Sequence, residues 1–244
     1  MALVICMAGL NTRFHDVGFD IPKYLLPWNN KTIIAEVIEN LDINHRFTEV
    51  ILLPNKRDDY FRPQLVDSIK YLSLNEENVY YIGDTSGQAY TALIGATLQK
   101  IKEQPFIIHN ADTIVKNRDM QEIYDALQTN DVWVDVFVAN SPAYSYVKTD
   151  GRNAIDIVEK KAISPYASSG LYCFKNPLMY EEQFYKTQEM IVGREMYVSD
   201  IIKQMISSGM KVVVNELKHD QETIVLGTPQ EYGIELAKQK LGIR

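Results

Sequence analysis

Short apolar runs alternate with amphipathic stretches along the first half of the chain. The runs at 2–7 (ALVICM), 48–54 (TEVILLP), 78–83 (NVYYIG) and 105–112 (PFIIHNAD) are largely apolar on both alternating faces, as strands covered on both sides are. Between them, helical spacing of apolar residues recurs at 32–41, 87–101 and 118–129. A polar stretch at 56–72 also reads as helical, with Pro63 marking a break or a helix start. Strand and helix in alternation predict a parallel sheet with helices on both faces.

The second half changes character. Residues 132–139 (VWVDVFVA) alternate as a half-buried strand does, and 144–161 holds a hairpin with Asp150, Gly151, Arg152 and Asn153 at its turn. Strands are expected at 166–174 and 211–217, and helices around 176–186 and 199–208. A closing helix at 228–242 opens on Thr228-Pro229, a good N-cap and first-turn pair. No repeat or flexible linker interrupts the pattern. The expectation is a single α/β domain with a Rossmann-like, mixed and mainly parallel sheet, an α/β half over 1–130 and a mixed-sheet half over 131–244.

Composition narrows the function classes. A chain of 244 residues with 46% hydrophobic and 23% charged content can bury a sizeable core. The net charge of −7 argues against a nucleic-acid binder held by bulk electrostatics. Cys6 and Cys173 sit inside apolar runs without CxxC or zinc spacing, which reads as buried thiols in a reducing compartment. No leader pattern and no window of membrane-spanning length is present, so a cytoplasmic location without a membrane partner is expected. The formation of a homo-oligomer is left open.

In open sheets of this kind, ligands sit beyond the carboxyl ends of the strands. The loops after 2–7, 78–83 and 105–112 therefore converge. The first, 7–27 (MAGLNTRFHDVGFDIPKYLLP), is long for a connection inside a compact domain. Gly9 permits close backbone approach to a ligand, Arg13 offers a planar fork for phosphate oxygens, and Lys23 is a compact point charge. The loop is neither a dinucleotide fingerprint nor a Walker loop, and two solvated surface cations remain the plain alternative. Asp112, ending an apolar run, suits Mg²⁺ or the cap of a following helix. Glu159 and Lys160 form an ordinary solvated strand edge unless they face the same cleft as Lys23. His15, His45, His109 and His219 are scattered without ligand spacing. Cations converging with one carboxylate, and no general base, meet the demands of phosphoryl or nucleotidyl transfer to an acceptor that is already an anion.

Several segments in order resemble the sugar-phosphate nucleotidyltransferases. MAGLNTRF followed by IPKYLLP is similar to their A-G-x-G-[ST]-R-[LF] and P-K elements, and GQAYTAL to their G-T-A-x-x-x-L turn. NADTIV stands at the metal strand, VEKK resembles the E-K element and SSGLYCF the glycine-containing strand. GREMYVSDII and LGTPQEY are similar to the E-x-x-x-[ST]-D and G-T-P-E-[DE] segments. The resemblance spans nearly the whole chain, and the nearest branch is that of bacterial surface-polysaccharide genes.

This resemblance implies a GT-A-type fold and an Mg²⁺-dependent enzyme that condenses a nucleoside triphosphate with a phosphorylated small molecule. The triphosphate would lie on Ala8, Gly9, Leu10, Asn11 and Thr12, with Arg13 on the β- and γ-phosphates. Lys23 would take the α-phosphate and the acceptor phosphate. Gly87 and Gln88 would lie near the base, and Asp112 would hold Mg²⁺. Glu159, Lys160 and Gly170 would line the acceptor side in the second half.

Three departures stand out. Asn11 replaces a glycine of the loop, a substitution that tolerates left-handed backbone. Asn110 stands where glycine is common. Val225 and Leu226 occupy the place of a second metal aspartate; either Asp220 or Glu222 substitutes for it, or one protein carboxylate suffices. The expected acceptor is a sugar 1-phosphate, with cytidylyl transfer to a non-sugar phosphate second. A glycosyltransferase would want D-x-D where this chain has Asn110-Ala111-Asp112, and a silent nucleotide-binding module would not need Arg13, Lys23, Asp112 and Lys160.

Overall fold

A computed structural model describes residues 1–42 and 46–242. The first apolar run forms β1 (Ala2–Met7), which splits its side chains between two cores: Leu3, Ile5 and Met7 on one face, Val4 on the other. The 7–27 loop contains α1 (Thr12–His15) and a 3₁₀ turn, Lys23–Leu25. A short hairpin, β2 (Pro27–Trp28) and β3 (Lys31–Thr32), leads to α2 (Ile33–Leu41), whose N-cap Thr32 accepts from the Ala35 N–H at 3.3 Å.

After β4 (Glu49–Pro54), a 3₁₀ segment runs into α3 (Arg62–Ile69), where Pro63 occupies the first turn and so marks a helix start. Next come α4 (Gln88–Leu98), β5 (Phe106–Asn110), β6 (Thr113–Lys116), α5 (Met120–Thr129) and β7 (Val132–Val138). β8 (Ser145–Asp150) and β9 (Asn153–Glu159) make the expected hairpin around Gly151 and Arg152, with Gly151 at φ 56°. The chain continues through β10 (Tyr166–Phe174), α6 (Pro177–Gln188), α7 (Val198–Ser207), β11 (Val212–Val214), β12 (Glu222–Val225) and α8 (Pro229–Leu241).

The main sheet has the order β4-β1-β5-β10-β7-β11-β9-β8. β4, β1, β5, β7 and β11 all run one way, and β10 is inserted against them between β5 and β7. β8 also meets β10 at Ala167–Tyr146, so that end of the sheet folds back on itself. One core lies between the sheet and α2, α3 and α5; the other is closed by α4, α6 and α7. Among the described residues, no helix is long and apolar enough to cross a membrane.

Two sequence expectations change here. Residues 78–83 do not form a strand; they touch the edge of β4 only at Leu52–Val79 and Asn55–Ile82. The Tyr80, Ile82 and Lys56 N–H groups make the bonds of a parallel ladder, but Pro54 has no N–H to close onto Tyr80. The segment after Asp112 is a strand, β6, which pairs with β12 in a separate two-stranded ribbon.

Candidate active site

Parallel register sets Cys6 of β1 beside Leu53 of β4 and Asn110 of β5, so the loops leaving their carboxyl ends share one edge. The first loop is tied across itself. Asn11 adopts the left-handed region at φ 57° and donates through Nδ2 to the Ile21 carbonyl at 3.4 Å. Phe14 is buried against Phe19 and Tyr232, with ring centroids 5.5 and 6.4 Å away. Arg13 is left exposed, with no ion pair among the described residues. Pro22 delivers Lys23 to the start of the 3₁₀ turn, and the Tyr24 hydroxyl donates to Asp58 at 3.1 Å.

Lys23 donates from Nζ to the Asp112 carboxylate, whose side chain is 14% exposed. Burial alone would push the Asp112 carboxyl up; the charge and hydrogen bond of Lys23 outweigh it and hold the group below the usual carboxylate range. The cap reading of Asp112 fails because β6 follows it, and Asp119 caps α5 instead. A Cβ built on Gly227 would lie 3.1 Å from Asp112 Oδ2 and 3.6 Å from Glu231 Oε2, so the two carboxylates approach one point from different elements.

Three cavities meet at Asn110. A 370 Å³ cavity is bounded by Gly9–Arg13, Lys23, Asp112, Tyr144, Gly227 and Glu231. A 610 Å³ cavity runs from Ala8, Lys23 and Asp112 to Asp84–Gln88 and Glu195. A 110 Å³ cavity lies among Gln88, Glu159, Gly170 and the hydroxyls of Ser145, Ser168, Tyr172 and Ser199. Gln88 Nε2 donates to Asn110 Oδ1 where the last two join.

In the 110 Å³ cavity, Ser145 and Ser199 donate to Glu159 Oε2, the latter at 2.8 Å. Lys160 does not line these cavities. Its left-handed backbone, φ 56°, turns the side chain onto Tyr197, where Nζ donates to the hydroxyl at 2.7 Å and sits 4.4 Å from the ring centroid.

The sequence model for nucleotidyl transferases matches residues 2–221. The chain belongs to the nucleotidyl transferase family. It is 24% identical over 248 residues to the bifunctional protein GlmU of Aquifex aeolicus (strain VF5), a match covering 93% of this chain and 51% of GlmU. The chain thus spans about half the length of that relative. Among solved structures, the nucleoside-diphosphate-sugar pyrophosphorylase from Vibrio cholerae RC9 aligns with a TM-score of 0.81 at 24% identity, over 96% of this chain and 99% of that one. The inositol-1-phosphate CTP transferase from T. maritima aligns at 0.71 and 14% identity, over 100% and 97%. Those likenesses show the shared Rossmann-like α/β fold.

Set against the motifs of this nucleotidyl transferase, the structure corrects several readings. Asp220 and Glu222 lie at the far end of the β6–β12 ribbon from Asp112: the Asp220 carbonyl accepts from Asn117 at 2.6 Å and Glu222 pairs with Lys116 at 2.7 Å. Neither can join Asp112 as a metal ligand. Cys173 is buried, but Cys6 is partly exposed in the wall of the 610 Å³ cavity, its thiol pushed up to about 12 by burial. His109 is buried, with Nε2 donating to the Thr113 carbonyl at 2.7 Å; His45 lies outside the described residues. Among the described residues, no group of three or more His, Cys, Asp or Glu side chains could hold a metal. Tyr144 is a cavity residue that no local spacing marks, while Asn110, Ser168, Glu195 and Glu231 lie inside the resembling segments without standing out as site residues.

Proposed function

We propose that the protein transfers a nucleotidyl group from a nucleoside triphosphate to a sugar 1-phosphate, releasing pyrophosphate and an NDP-sugar, with surface-polysaccharide precursors as the product class. The observation that carries this reading is the position of Lys23, in contact with Asp112 at the wall shared by the two larger cavities. An acceptor phosphate is ionised at neutral pH and attacks the α-phosphorus without a base. The new bond forms from the acceptor oxygen to Pα, and the bond from Pα to the α,β-bridging oxygen breaks.

The chain's task is then to offset repulsion between anions and hold them in line. Lys23 stands where α-phosphate and acceptor phosphate would meet, and Arg13, without an ion pair among the described residues, faces the adjoining cavity. The donor set fits Mg²⁺: Asp112 and Glu231 are hard oxygen donors converging beside Gly227, and such a cation takes its remaining ligands from phosphate and water. Bound there, it would supply charge neutralisation at the phosphate oxygens.

The 110 Å³ acceptor-side cavity, walled by Tyr144, Tyr172 and Tyr197, favours as a second reading a small non-sugar phosphate. A pyrophosphate-release screen of the nucleoside triphosphates against sugar 1-phosphates and non-sugar phosphates tests both. Release from no pair would overturn nucleotidyl transfer.

A further inference from the structure

The largest of the three cavities has a charge gradient along its length. Lys23 stands at one end, next to the cavity that Arg13 lines. The other end is formed by Asp84, Thr85, Ser86, Gly87, Gln88 and Glu195; of the cations around it, Arg57 is bound to Asp84 together with Asn55, and Lys160, close enough to feel the Glu195 charge, is bound to the Tyr197 hydroxyl. Glu195 reaches this wall from the connection between α6 and α7. Its carboxylate packs directly on Gly87, the residue before α4, which has φ +126° and where any Cβ would overlap it.

The Glu195 carboxylate has no hydrogen bond or ion pair among the described residues. Its neighbour Arg194 does not neutralise it; that guanidinium forks onto Asp200 at 2.8 Å and onto Glu195's own carbonyl at 2.8 Å. An unpaired carboxylate would repel a polyphosphate, so the triphosphate lies toward Lys23 and Arg13 and the base toward Gly87 and Glu195. A carboxylate can only accept hydrogen bonds. Cytosine, guanine and adenine carry an exocyclic amino group that donates, whereas uracil and thymine flank their single N–H with two carbonyl oxygens.

We propose that Glu195 is a base-selecting residue, accepting a hydrogen bond from the exocyclic amino group of the nucleotide and disfavouring uracil and thymine. This inference rests on the nucleotidyl-transfer reading above and names the triphosphate class that reading leaves open.

The test uses matched triphosphates that differ at one amino or oxo group: CTP with UTP, GTP with ITP, and ATP with ITP. Dissociation constants are measured calorimetrically on the full chain with Mg²⁺ and no acceptor, so ribose and phosphate contributions cancel within each pair. In at least one pair the amino-bearing member is expected to bind about tenfold tighter or better, the scale of a hydrogen bond to a charged group. Glu195→Gln, whose amide can also donate to a carbonyl, should bring that ratio to within about threefold while leaving pyrophosphate affinity unchanged. The proposal falls if UTP or dTTP binds as tightly as every amino-bearing triphosphate, or if the ratio survives Glu195→Gln. Binding of no triphosphate at all would instead overturn the nucleotidyl-transfer reading, and this one with it.

Discussion

Gly170 and Asn110 face each other across the seam between β10 and β5, so closely that a methyl group on Gly170 would overlap the Asn110 amide. Gly170 lies in a bulge of β10, between Ser168 and Tyr172, with φ +86°. Gly170→Ala thus meets two penalties, left-handed backbone and steric overlap, together about 2–4 kcal/mol. Thermal unfolding should show a melting temperature lower by several degrees. Adding Asn110→Gly removes the overlap but not the backbone strain, so it should restore only part of the loss. Full restoration would show that the left-handed conformation costs nothing here.

Lys23→Ala should lower turnover about 10²- to 10³-fold, the usual effect of removing one preorganised transition-state donor. It should not be structurally silent, because Lys23 leaves behind an Asp112 carboxylate that is only 14% exposed. A destabilisation of about 1–3 kcal/mol is expected from that unpaired group. The double variant Lys23→Ala, Asp112→Asn should regain most of the stability and none of the turnover. Steady-state rates with calorimetric unfolding of the wild type and the two variants separate the two effects. Wild-type turnover in Lys23→Ala would rule out the assigned role.

How far this site was readable depends on where its parts lie in the chain. The 7–27 loop stands out by its length, Asp112, Glu159 and Gly170 as a charge or glycine in or at the end of a strand-like run, and Gly87 through the family resemblance. The wall opposite Asp112 is marked only by the resemblance of LGTPQEY, and its pairing is not legible. Thr113 begins a strand whose partner, Val225, is distant in sequence, and a four-residue strand carries no periodicity of its own. Asn110 looked like a tolerable replacement for glycine, yet it is the residue at which the three cavities meet. The motif sets Lys160 beside Glu159 but says nothing of its left-handed backbone, which aims the side chain at Tyr197. The 78–83 segment looked like a strand since nothing in it shows that Pro54, on another element, withholds a donor.

Asp58 gives the fold a pH dependence of definite sign. Burial pushes its carboxyl above the usual range, and the hydrogen bond from Tyr24 with the nearby Arg57 and His15 offsets this only in part. The native state therefore holds this proton more tightly than the unfolded chain does. Between the ordinary carboxylate pKa and the raised one, stability falls as pH rises, and the penalty is complete above the raised value. Asp58→Asn removes the titration while keeping an acceptor for Tyr24. Relative to wild type it should gain stability at pH 7 over its standing at pH 4, measured by urea unfolding at both. A difference independent of pH would show that Asp58 titrates alike in the folded and unfolded states.

Arg118 and Asp135 make the buried ion pair that anchors the ribbon behind Asp112, with side chains 2% and 0% exposed. Arg118 Nε and Nη2 fork onto the two carboxylate oxygens at 2.8 and 2.9 Å. Nη1 donates to the Lys116 and Glu222 carbonyls at 2.8 and 3.2 Å, and Nη2 also to Thr223 Oγ1 at 2.8 Å. Every N–H of the guanidinium is used, and the partners come from both strands of the β6–β12 ribbon and from β7. Arg118→Met leaves a buried carboxylate unpaired and should cost about 3–5 kcal/mol. Asp135→Leu alone should cost a similar amount, and the double variant less than the sum, since no charge is then stranded. Full recovery is not expected, because the Lys116 and Glu222 carbonyls lose their donor in either background. Local loosening should appear first in the ribbon, as faster amide exchange at Ile114 and Val115 in Arg118→Met. Denaturant unfolding of the four-member cycle measures the coupling. A cost below about 1 kcal/mol for either single variant would mean the ribbon is held by its packing on α2 and not by this pair.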